Sequence, residues 1–123
     1  MTEKEVGEIV RDVANQFFSM IDWPTEKKQV YYRDMIPRLE RFPADLGHLG
    51  IAKAIQDRRW RFPPSPAEVE DAISDYADMM YLRWRCFTKT LKRDGSCLPG
   101  AAWFETLKPG EAGKIINGAR WGK

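Results

Sequence analysis

Trp60-Arg61-Phe62-Pro63-Pro64-Ser65-Pro66-Ala67-Glu68-Val69-Glu70-Asp71-Ala72-Ile73 decides how this chain folds. Ser65 supplies the hydroxyl of an N-cap, and Pro66 follows at the first helical position, where a missing N–H costs nothing. Glu68 stands three residues after Ser65, where its carboxylate reaches back to the Ser65 N–H and closes a capping box. Ahead of the cap, Trp60, Phe62 and the Pro63-Pro64 pair form a stiff apolar elbow. Each proline fixes its own φ and pushes the preceding residue toward extended geometry. Such an elbow holds its aromatics at a fixed place, either in a small core or facing a partner.

Downstream of the cap, Val69, Ile73, Tyr76, Met80, Trp84, Phe87 and Leu91 recur at steps of three and four. This spacing predicts one long helix from Pro66 to about Leu91, with a single apolar stripe. Upstream, Val6, Ile9, Val10, Val13, Phe17 and Met20 predict an amphipathic first helix over Glu3–Ile21, capped by Thr2 and stopped by Asp22-Trp23-Pro24. Thr25 is the next expected cap, opening a helix through Val30, Tyr31, Met35 and Leu39 that Pro37 should kink or split. Phe42-Pro43-Ala44-Asp45 opens a third helix through Leu46, Leu49, Ile51, Ala52 and Ile55, with Gly47 and Gly50 allowing close helix approach. Its end falls at Arg58-Arg59.

Lys92 to Gly100 reads as a turn, Ala101–Leu107 as a short helix, and Lys108-Pro109-Gly110 as a further break before Glu111 to Ala119. No alternating strand pattern occurs, so the expected fold is all-α: a bundle of four to five helices with one long helix in the C-terminal half and a basic tail. Residues 1–93 form the expected helical domain. Residues 94–123 are a C-terminal segment that is docked or ordered by a partner, and truncation after Arg93 is expected to leave a folded domain.

The chain has 123 residues, 43% hydrophobic and 31% charged, consistent with one soluble domain. No apolar run reaches the roughly 18 residues that span a bilayer, and the N-terminus has no signal-peptide pattern, so a cytoplasmic protein is expected. Cys86 and Cys97 make no disulfide framework, and with His48 they give no zinc-ligand spacing. The net charge of +2 conceals a split. Residues 1–79 carry 11 Lys/Arg against 15 Asp/Glu, a net of −4, and residues 80–123 carry 9 against 3, a net of +6. Such a split points to a nucleic acid or an acidic protein surface as partner for one end.

The chemistry of catalysis is sparse. Gly110 to Ile115 has two residues between its glycines where a phosphate loop needs four, and isoleucine where the magnesium-binding hydroxyl belongs. His48 is paired by helical spacing with Asp45, with no nucleophile nearby. Glu68 is assigned to the cap, and Asp71, Asp75 and Asp78 to a solvated helix face. No catalytic residue, metal site or cofactor is therefore expected.

Two surface constellations remain. Arg83, Arg85, Lys89, Lys92 and Arg93 crowd the end of the long helix, with the last four on one face. They are either a solvated, dipole-favoured helix end or a contact for nucleic acid or an acidic partner. In Arg58-Arg59-Trp60-Arg61-Phe62 arginines alternate with aromatics, a pattern used in stacking on nucleic acid and also in plugging a bundle. Trp103, Phe104 and Trp121 are further aromatic anchors in a glycine-broken segment. The long helix keeps near-heptad steps, so a homodimer seam is also compatible with it.

Over roughly residues 3–73 the chain resembles short helical phage proteins of the replicative helicase loader/inhibitor class. The resemblance is carried by four elements in order. They are an N-terminal amphipathic helix, a second helix bearing the pair Tyr31-Tyr32, a proline-started helix ending in Ala54-Ile55, and the Phe-Pro-Pro-x-x-Ala-Glu-Val element from Trp60 to Val69. The resemblance implies a compact helical domain whose C-terminal segment engages a hexameric helicase in the bacterial host cell, loading it on DNA or holding it inactive. The long basic helix departs from that pattern. Two other classes fit the same physics: an inhibitor of a host nucleic-acid machine or defence complex, anti-CRISPR-like, and a direct DNA-binding module resting on Arg83 to Arg93.

Overall fold

The computed structural model describes residues 1–94 and 100–106, with side chains described for 1–84, 100 and 102–106. Thr2 and Ser65 each start a helix by the reciprocal exchange their spacing implies. The Thr2 hydroxyl accepts from the Glu5 N–H while the Glu5 carboxylate accepts from the Thr2 N–H, opening α1 (Glu3–Ala14). Ser65 and Glu68 do the same for α5 (Pro66–Asp94). Between them lie α2 (Phe18–Ile21), α3 (Thr25–Leu39) and α4 (Ala44–Gln56), and α6 (Ala101–Thr106) follows. The fold is all-α, and among the described residues no helix is long and apolar enough to cross a membrane.

α5 is the spine. It packs against α4 and α3 on one side and receives α6, while α1 lies across α3 and α4. The core holds Val6, Ile9 and Val13 of α1, Met35 and Leu39 of α3, Leu46 and Ile51 of α4, and Val69, Ile73, Ala77 and Met80 of α5, all buried. Gly50 lets α4 and α5 meet at backbone distance, since a Cβ there would stand 3.3 Å from both Ile73 Cα and Tyr76 Cβ.

Four local expectations change. The first helix does not run to Ile21. Tight turns from Gln16 N–H to Val13 O and Phe17 N–H to Ala14 O end it, and Phe17 adopts extended backbone before α2. The break turns Met20 into the core and leaves Phe18 84% exposed. Pro24, not Thr25, stands at the N-cap of α3. Pro37 lies inside α3 without splitting it, because Arg33, whose carbonyl loses its partner, and Pro37 itself are exposed to solvent and the helix ends two residues later. Asp78 is 7% exposed, so Asp71, Asp75 and Asp78 do not share one solvated face.

Glu70 and Asp75 of α5 act instead as struts. Glu70 receives Arg38 at 3.1 Å and Arg41 at 2.8 Å, tying the end of α3 to α5. The Met1 ammonium donates to the Glu40 and Phe42 carbonyls at the same end, where the helix dipole favours a cation.

Candidate partner-binding site

The elbow is shaped by how α4 stops. Arg58 N–H donates to Ile55 O and Arg59 N–H to Ala54 O, the paired bonds of a Schellman ending in which Arg58 takes the left-handed position. Its φ is 53°, and among the described residues it is the one non-glycine with positive φ. A left-handed backbone costs an L-residue roughly 1 kcal/mol or more, which is why glycine usually sits there.

The reversal sends successive side chains in different directions. Arg59 turns to α5 and meets Asp75 at 2.6 Å. Trp60 packs against the edge of the core, whereas Arg61 and Phe62 face solvent, Phe62 with 72% of its surface exposed. The Arg61 guanidinium lies 5.8 Å from the Phe62 ring centroid. Pro64 is buried, and its carbonyl accepts a 2.7 Å hydrogen bond from the buried Tyr31 hydroxyl. Burial, with Glu68 adding a smaller effect, pushes the Tyr31 phenol above its ordinary range, so it stays a donor. Arg59, Tyr31 and the Ser65 cap thus pin the elbow to three neighbours. Tyr32, the other half of the tyrosine pair, donates to Glu3 O and holds the start of α1.

Beneath the elbow runs a cleft of about 370 Å³ lined by Gln16, Phe17, Ile55, Arg58, Trp60 and Arg61. Its floor is apolar and its charges are two arginines. Among the described residues no carboxylate makes an ion pair with either. Across the shared Gln16 and Ile55 an adjoining hollow continues to Asp12, Asn15 and His48. There His48 stands between Glu8 at 3.2 Å and Asp12 at 3.6 Å rather than with Asp45. Asp45 accepts from the Leu46 and Gly100 N–H groups. A second apolar groove, about 210 Å³, is lined by Val10, Ala14, Met20, Ile21, Trp23, Lys28 and Tyr31.

The other sequence-named residues are distributed differently. Phe104 is 1% exposed and is a core residue, with ring centroids 5.4 Å from Tyr81 and 5.8 Å from Trp84, so it is not a free anchor. Trp103 is half-buried against Phe42 at 6.0 Å. Trp121 lies outside the described residues. Arg83 is exposed on α5, while the side chains of Arg85, Lys89, Lys92 and Arg93 lie outside the described residues, as do residues 107–123. Phe17, Ile55 and Arg58 join Trp60 in the cleft. The sequence signal for Arg58 was its place right after the α4 pattern, where glycine is the usual residue. For Phe17 it was the polar pair Asn15-Gln16 interrupting the first stripe.

Comparison of the chain with protein-family models, with curated proteins and with solved structures returns no match.

Proposed function

We propose that this chain is a non-enzymatic adaptor that binds a protein partner through the elbow, and that the partner is the replicative DNA helicase of a bacterial host, which it loads or holds inactive. The observation that carries the binding reading is Phe62, a large aromatic held 72% exposed on a rigid elbow beside Arg61. Exposed aromatics beside arginine are the residue types that dominate binding energy once a partner desolvates them. The elbow is also held in place before any partner arrives, which lowers the ordering cost of association. The choice of helicase rests on the resemblance carried by Tyr31-Tyr32, Ala54-Ile55 and Trp60 to Val69. In this reading the protein works in the host cytoplasm.

The test is co-elution of the full-length chain with a purified bacterial replicative helicase, beside a Phe62→Ala variant. Binding by the parent and its loss in the variant support the proposal. No binding by the parent rejects the helicase and favours the alternative of a host defence or other nucleic-acid machine. Truncation after Arg93 is a poor test, since it removes Phe104 from the core.

A further inference from the structure

Arg58 occupies a backbone position that glycine would fill without strain, and its side chain lines the elbow cleft. Backbone strain kept at a residue facing a cleft is a recurrent mark of a binding role. Arg61 lines the same cleft, whereas Arg59 between them is neutralised by Asp75. The floor offers Phe17, Ile55 and Trp60. The ligand chemistry that matches this lining is a carboxylate next to an apolar side chain.

Resting on the adaptor reading, we propose that the cleft takes a short acidic segment of the partner protein, with an apolar side chain seated on Phe17, Ile55 and Trp60 and carboxylates on Arg58 and Arg61. Charge complementarity selects this occupant. The chain's own C-terminal residues, 107–123, carry four basic and one acidic side chain and would bring like charge to the two arginines. A nucleic-acid strand fits less well. Two cations are a small footprint for a phosphate backbone, and the surface leading away from them runs onto Asp12 and its neighbour Glu8. A peptide needs only a local match, and guanidinium–carboxylate pairing supplies orientation as well as attraction.

The experiment titrates the isotope-labelled full-length chain with an amidated peptide alternating Glu with Leu and Phe. The same peptide with Lys for Glu, and oligothymidylate, are the controls. Expected are shifts of the Gln16 and Ile55 amides and the Trp60 indole with the acidic peptide alone. Arg58→Gly is expected to weaken binding roughly tenfold, the loss of a charge-assisted contact, while Tm rises by about 4 °C as the strain is relieved. That combination separates lost binding from lost folding. The proposal is overturned if the acidic peptide leaves those resonances unmoved, if the lysine peptide or oligothymidylate moves them as strongly, or if Arg58→Gly binds as the parent does. Helicase co-elution that survives an Arg58→Glu/Arg61→Glu double variant overturns this inference and leaves the adaptor reading standing. Binding of the acidic peptide without helicase co-elution does the reverse.

Discussion

At the junction of α5 and α6, Phe104 is 1% exposed, with Tyr81, Trp84 and Trp103 around its ring. At the elbow Phe62 is 72% exposed, with its neighbour Arg61 over the ring. Both regions are aromatic-rich, proline- or glycine-flanked and next to basic residues in sequence. Their use differs because α6 has a partner helix to lie on. Gly100, with φ 77°, turns the chain so closely past Leu46 that a side chain there would collide with it. Its N–H is held by Asp45 at 2.8 Å, and Phe104 then drops onto α5. The elbow is pinned instead by Arg59 on Asp75, by the Tyr31 hydroxyl on the Pro64 carbonyl and by the Ser65 cap, and these contacts leave Phe62 outside. Rigidity and burial are separate properties, and a binding surface needs the first without the second.

The contrast breaks first at Phe104. Phe104→Ala should cost about 3–5 kcal/mol, the loss of a fully buried aromatic and the cavity it leaves, read by urea unfolding. A loss within 0.5 kcal/mol, roughly the scatter of surface substitutions, would mean that α6 is not part of the core. Phe62→Ala should leave stability inside that same scatter while weakening partner association by about 2 kcal/mol, measured by titration calorimetry. If it destabilises the fold instead, the elbow belongs with the α5–α6 junction.

Ser65→Ala sharpens the comparison by loosening the hinge of the elbow. It should cost about 1 kcal/mol, and faster hydrogen exchange should appear at Glu68, whose N–H loses its acceptor. The smallest effect lies at the start of α1, away from both aromatic regions. The Thr2 backbone N–H and side chain hold the Glu5 carboxyl below its ordinary value of 4.5. A folded-state pKa lowered in this way contributes stability above the unfolded value, and that contribution is lost as pH falls through the folded one. Glu5→Gln should therefore flatten the acid limb of the stability curve slightly, as followed by thermal melts below the ordinary glutamate pKa. An acid limb as steep as the parent's would place that dependence elsewhere.

Much of the architecture could be read from local chemistry. Thr2, Ser65 and Glu68 act through partners three residues away, so their spacing alone announces the helix starts. Gly50 also declared itself, since a glycine within an apolar helical pattern marks close approach. The cleft could not be read in this way. Its walls come from Gln16 and Phe17 after α1, Ile55 at the end of α4 and Trp60 at the elbow. Only the α1 break and the Schellman reversal bring them together. Asp78 reads as solvent-facing by composition, and its burial follows from how α5 sits against its neighbours.

By itself the sequence determined the all-α class, the helix caps at Thr2 and Ser65, the long α5 and the stiffness of the Pro63-Pro64 elbow. Those properties depend on backbone torsions and hydrogen bonds within one turn of chain. The tertiary structure decided which aromatics are buried, which arginine is neutralised, and that Arg58 and Arg61 share a cleft with Phe17. Those outcomes depend on which distant surfaces exclude water from one another, and helical periodicity places residues on a face without naming what that face meets.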